Sequence, residues 1–435
     1  MSSIWTDVSL PRFPSLKGDT KTDVLIIGGG MAGILCAHAL KEAGVHCIVA
    51  EADTICSGVT AGTTAKVTAQ HGLVYRKMME RFGAEQTELY LKANQQAVAA
   101  LRHLCTGLDC DWQDQDNFIY SLTDRGCLEA ELEALQSLHC PSDFAEQLPL
   151  PFPTAGAVKF REQGQFHPQK LLNALCSSLK IYETTSIREL TKFCAVTDQG
   201  RIFADSFIVA THFPFPNKHG SYFLKLYQQR SYVLALEKVP AFEGMYLDAA
   251  ENGLSFRHHG STLLLGGGGH RTGKPGGGWR ELEEKTKEYY PGARITRKWA
   301  AQDCMTLDGI PYIGRYSRNT PNLFVATGFN KWGMTSSMVS AGILSDLVQR
   351  KPNPYAAVFS PCRSILHKQL GLNLLESTKN LLTPTVPRCP HLGCALKWNP
   401  QEHSWDCPCH GSRFTKEGKL IDNPATGNLW KNPKK

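Results

Sequence analysis

Asp23-Val-Leu-Ile-Ile-Gly28-Gly-Gly30-Met-Ala-Gly33 is an apolar run closed by glycines, and its reading decides the fold. Consecutive apolar residues without polar alternation suit a strand buried on both faces of a parallel sheet. The glycines fit G-x-G-x-x-G at Gly28, Gly30 and Gly33. In that pattern Gly28 makes the tight turn and Gly30 lets backbone approach a pyrophosphate. Gly33 lets the following helix, Ala32 to Glu42, pack closely on the strand. The helix N-terminus then faces the phosphates. A second apolar strand, Cys47 to Ala50, ends in Glu51, at the distance expected of a carboxylate that accepts from ribose hydroxyls. A lone glycine fingerprint is weak. Strand, turn, helix, strand and acid in register predict a dinucleotide-binding α/β domain.

Further along, Ser57-Gly-Val-Thr-Ala-Gly-Thr63-Thr64-Ala-Lys66 is a run of small and hydroxyl residues that can offer donors to phosphates. Near the other end lie Asp308-Gly-Ile-Pro-Tyr-Ile-Gly314, Asn322-Leu-Phe-Val-Ala-Thr-Gly328 and Lys331-Trp-Gly333-Met334-Thr335, then a small and apolar helix to Leu347. Together these landmarks resemble the FAD-dependent oxidoreductases of the D-amino-acid-oxidase type, which include glycine and sarcosine oxidases. The resemblance implies noncovalent FAD, closed in by the segment through Gly328. It places the amides of Gly333, Met334 and Thr335 at the flavin's pyrimidine end, where a helix N-terminus stabilises negative charge. It implies a Rossmann-like part in about residues 20–75, 165–215 and 300–350. An antiparallel substrate-side sheet would take about 76–164 and 216–299, the whole unit covering 1–355. His212 stands where this family usually has glycine.

A second chemistry begins at Cys389-Pro-His391-Leu-Gly-Cys394 and continues at Cys407-Pro-Cys409-His410-Gly-Ser412. Each stretch offers a Cys and a His, plus a spare Cys, the equal split that a [2Fe–2S] centre with two Cys and two His requires. A Cys/His zinc site uses similar ligands but leaves the spare cysteines and the Gly-Ser pair unexplained. The two stretches resemble the cluster loops of Rieske iron–sulfur proteins. That resemblance implies Cys389 and Cys407 on one iron, His391 and His410 on the other, and a Cys394–Cys409 disulfide as in the respiratory-chain branch. Pro424 resembles the proline loop that covers the cluster. Ser412 matches the hydroxyl offered to a bridging sulfur, while Phe414 replaces a tyrosine found in high-potential members. Missing that hydrogen bond predicts a lower potential. The all-β module, 387–435, looks truncated: a helix-like run, Ser364 to Leu382, stands where strands would precede the first loop. Prolines 352, 354, 361, 384 and 387 make the linker about 356–386 a fixed tether.

At 435 residues with 42% hydrophobic and 20% charged, the chain is an ordinary multi-domain globular protein. A net charge of +7 and one short basic tail, Lys431 to Lys435, give no nucleic-acid patch. No apolar stretch reaches transmembrane length, and Met1-Ser-Ser-Ile-Trp lacks signal-peptide features, so a cytoplasmic location is expected. Of fifteen cysteines, the eleven outside the cluster loops have no motif spacing. The glycine-rich Gly266–Lys274 is either a linker or a border carrying His270 and Arg271 to substrate or a docking partner; Lys331 is a candidate for tuning the flavin. The expected function is an FAD-dependent dehydrogenase of an amine or amino acid. It would pass electrons singly through the cluster to an external one-electron carrier, leaving by His391 and His410. A reductase running the other way, or a non-catalytic redox partner or sensor, is the alternative.

Overall fold

The computed structural model describes residues 2–216 and 219–430; the basic tail at 431–435 lies outside them. The Thr20–Ile27 strand occupies the middle of one sheet, paired in parallel with Cys47–Ala50 and with Arg201–Val209. Val24 to Ile27 are at most 4% exposed. Val24 and Ile26 enter one core while Leu25 and Ile27 enter another, so the run is apolar because both faces are covered. Outward from it stand Leu323–Thr327, also parallel, and Tyr312–Arg315, an antiparallel edge; Ile181–Tyr182 closes the other side. The Met31–Glu42 and Gly333–Val348 helices pack on one face, so the two expected flavin-site turns are neighbours.

A nine-stranded sheet forms the expected substrate-side wall. Its strands are antiparallel except where Met245–Asp248 runs parallel to Gln113–Ser121. The glycine-rich stretch is not a linker. Gly266 and Gly267 lie inside the Thr262–Arg271 strand, opposite Val233 and Tyr232. Gly268, at φ +59°, is glycine because a Cβ would sit 2.4 Å from the Gly278 carbonyl oxygen. The long Tyr75–Cys105 helix packs beside this sheet and bends at Gly83, where φ is +80°.

The C-terminal module is a four-stranded antiparallel sheet, each strand three residues long. Its buried core is four cysteines with Leu396, Phe414 and Ala425. The helix-like run folds as Lys368–Leu382. Among the described residues no helix is long and apolar enough to cross a membrane.

Candidate functional site

Gly28 has φ +114°, and a Cβ there would meet the Ala210 carbonyl oxygen at 2.5 Å. Gly33 is tighter still: its Cβ would come within 1.9 Å of the Gly28 oxygen, so helix and strand meet only because no side chain intervenes. At the end of the second strand, Glu51 accepts from the Gly29 amide at 2.7 Å and the Asp53 amide at 2.9 Å. Burial raises its pKa, and those amides oppose the rise.

From this turn a cavity of about 1200 Å³ runs past Thr63, Thr64 and Lys66 to Lys331, Gly333 and Met334. Gly28, Gly30 and Glu51 line it as well. Three expected residues stand behind the wall. Gly33 packs beneath the turn. Gly328, at φ +70°, sits against the Thr306 methyl. Thr335 uses its hydroxyl on the Thr68 backbone, accepting from the amide at 3.1 Å and donating to the carbonyl at 2.9 Å. Lys66, the last residue of the small-residue run, is a half-buried lysine on this wall whose pKa burial pushes down to about 7.

In the small module the two loops close on each other. His391 and His410 lie with ring centroids 5.1 Å apart, and the thiols of Cys389 and Cys407 hydrogen-bond. Cys407 and Ser412, with nearby backbone amides, hold Cys389 down at about 7 against burial. Burial lowers His391 to about 4 and His410 to about 3, so both rings are neutral donors at neutral pH. His410 Nδ1 is buried without a hydrogen-bond partner. Cys394 and Cys409 form a disulfide, with Cα atoms 6.7 Å apart. Ser412 accepts from the Ala425 amide at 3.0 Å, pinning the proline loop over the site.

The histidine end is not open to solvent as expected. His410 is 3% exposed, and its ring meets those of Phe213 and Phe223, each at 6.3 Å, on the first domain. Only His391 keeps partial exposure. Gln228 Nε2 donates to the carbonyls of His410 (2.8 Å) and Asn423 (3.0 Å), and Gln302 donates to that of Gly411 (2.8 Å). Asn423 returns bonds to the carbonyls of Thr211 and Phe213. Arg271 donates to the carbonyls of Pro408 and Cys409, so the docking partner it borders is the chain's own cluster loop. His270 lies 3.0 Å from the Tyr232 hydroxyl, which also donates to Glu402 of the small module. Glu402 accepts from Arg230 of the first domain at 2.9 Å and Arg413 of its own at 2.8 Å, all three side chains buried.

The large cavity reaches this junction. Asp422, Asn423 and Ala425 of the proline loop form part of its wall, as does His212. His212, at φ +64°, places Nε2 3.1 Å from Gln228 Oε1. The family's usual glycine is thus replaced by a side chain that reaches the residue holding His410. No sequence signal announced Gln228, Gln302, Arg230 or Glu402, because their partners across the junction lie over a hundred residues away.

A dinucleotide-binding sheet beside an antiparallel wall, with a Cys₂His₂ cluster module docked on the cavity, defines a flavin-and-iron–sulfur oxidoreductase. Residues 23–347 match the FAD dependent oxidoreductase family, to which the chain belongs, and residues 368–433 match the Rieske [2Fe-2S] domain. A Rieske 2Fe-2S iron–sulfur protein of Bacillus subtilis, YhfW, is 35% identical over 97% of this chain and 95% of its own. The cytochrome b6-f complex iron-sulfur subunit 3 of Nostoc is 48% identical, over 9% of this chain and 22% of its own. Glycine oxidase from Geobacillus kaustophilus shares the fold with TM-score 0.68 at 22% identity, covering 79% of this chain and 99% of that one. L-proline dehydrogenase from P. horikoshii does so with TM-score 0.66 at 15% identity, over 80% and 98%. Both cofactors fit the residues present. The glycine turn is a cradle that a Cβ would fill, and the cluster site gathers two thiols, two neutral imidazoles and an orphaned, buried Nδ1.

Proposed function

We propose that this enzyme dehydrogenates an amine or amino acid at the flavin and exports the electrons one at a time through the cluster to an external carrier. Bound FAD supplies two-electron hydride chemistry and the Rieske cluster single-electron transfer. In this reading Gly28, Gly30 and the hydroxyls of Thr63 and Thr64 hold the pyrophosphate, and Glu51 the ribose. The N-terminus of the Gly333–Val348 helix gives the flavin end of the cavity a positive field, with Lys331 adding to it. Cys389, Cys407, His391 and His410 would ligate the irons. The eleven cysteines outside the cluster loops are all free thiols, which favours a reducing, cytosolic setting.

One observation carries the reading. His212 lines the flavin cavity, hydrogen-bonds Gln228, and Gln228 hydrogen-bonds His410, so two hydrogen bonds span from cavity wall to cluster ligand. Burial keeps His212 below the usual histidine pKa, so that link is uncharged at neutral pH. The test is an anaerobic screen of amines and amino acids, following flavin and cluster absorbance together. A substrate should bleach the flavin and then the cluster. Reduction of the flavin only by a donor that reduces the cluster first would reverse the direction. No response to any amine, with both cofactors present, would remove the dehydrogenase assignment.

A further inference from the structure

The Lys368–Leu382 helix is mounted with its polar side inward. Asn373 and Asn380 are buried; Asn373 accepts from Arg271 at 2.8 Å, and the Asn380 carbonyl accepts from the Ala395 amide at 3.0 Å. Glu376, on the same side, pairs with Lys274. Helical periodicity turns Leu372, Leu375 and Leu382 the other way. With Leu366 before the helix and Val386 after it, they make five aliphatic side chains between 58% and 85% exposed. Arg388 bonds the carbonyls of Leu381 (3.2 Å) and Gly393 (2.7 Å), tying the loop that carries exposed Leu392 to the helix end. Around the apolar residues stand exposed Lys368, Lys379, Arg388 and Lys397. From 364 to 400 the one acid is Glu376, already paired.

We infer that this face docks on a bilayer surface containing anionic phospholipid. The leucines would enter the acyl boundary and the four cations would meet the headgroups, the arrangement of an interfacial amphipathic helix. Charge decides against a second copy of the chain, which would set cation against cation. Composition favours lipid over a protein carrier: the outward stripe is aliphatic, and residues 364 to 400 hold no Tyr or Phe.

The experiment is flotation of the full chain, FAD and cluster bound, with phosphatidylglycerol–phosphatidylcholine vesicles and with phosphatidylcholine alone. Binding should require the anionic lipid and fall as salt rises. The triple variant Leu372→Gln, Leu375→Gln, Leu382→Gln should bind about tenfold more weakly or less, with both absorbances unchanged. Lys368→Glu with Lys379→Glu should remove the preference for anionic lipid. Failure of the wild type to float at low salt would overturn the inference, as would undiminished flotation of the triple variant. A dimer that the triple variant dissolves, or a complex with an acidic carrier protein, in the absence of lipid binding, would reassign the face.

Discussion

Phe414 is fully buried in the core that holds all four cluster-loop cysteines. A phenol there would share that core with four cysteine sulfurs. Phe414→Tyr should therefore add one hydrogen bond to the cluster's sulfur shell and raise its midpoint potential by about 40 mV. That figure takes roughly 1 kcal/mol for the bond and 59 mV per tenfold for a single electron. Redox titration of the two proteins decides it, and an unchanged midpoint would mean the ring edge does not reach sulfur. His212 invites the complementary test. His212→Gly restores the residue usual in the family and removes the side chain joining cavity wall to Gln228. Both cofactors should still bind, while stopped-flow transfer from flavin to cluster slows; an unaltered rate would show that electrons bypass this link. The cluster ligands were legible in sequence because cysteine and histidine at short, fixed spacing have few other uses. The significance of His212 was not legible. A departure from a pattern is visible locally, but the Gln228 it meets becomes adjacent only after the sheets have formed.

The docked elements meet across one buried ionic group. Arg230 belongs to the Leu226–Glu237 strand, Arg413 to the Arg413–Thr415 strand, and Glu402 to the turn before Ser404–Asp406. Burial works to raise the Glu402 carboxyl, and the two guanidinium groups overrule it, holding it below the ordinary value. A carboxyl lowered in the folded state contributes stability above its unfolded pKa, about 4.3 for glutamate, and loses it as pH falls through the lowered value. Docking should thus be flat from neutral pH down to about 5 and loosen only in stronger acid. Glu402→Gln leaves Arg230, itself 3% exposed, as an uncompensated buried charge and should cost about 3 kcal/mol or more. Hydrogen exchange in the Arg413–Thr415 strand reads the loss. Arg230→Met with Glu402→Met should recover most of it, because Arg413 keeps Asp406 and Asp422. Equal protection in Glu402→Gln and wild type would show that the glutamine bonds alone hold the module. The strands on either side were readable from apolar runs. Their glycines left linker and border equally open, because composition does not show that a helix terminus presses on Gly268.

At the scale of the molecule, the small module lacks the means to stand alone. Its strands are three residues long and its core is seven residues, four of them cysteines. Domains this small need a disulfide, a metal or a partner surface. Here all three coincide, and the partner surface is Gln228, Arg230, Arg271 and Gln302 of the flavin domain. The truncation seen in sequence is therefore compensated by the rest of the chain, with the inward polar side of the Lys368–Leu382 helix bridging the two. Residues 368–435 expressed alone should fail to hold a stable cluster, showing neither its visible absorbance nor a cooperative thermal transition. A chain ending at 367 keeps Val358 and Phe359 in the core and Arg363 on Asp308, so it should still bind FAD, but it would expose Phe213, Phe223 and Arg230 and should aggregate more readily. Supplying the two pieces together should restore the cluster, because the interface that one lacks is the surface the other exposes. If the isolated module instead assembles its cluster and melts cooperatively, the docking serves electron transfer alone and contributes nothing needed for folding.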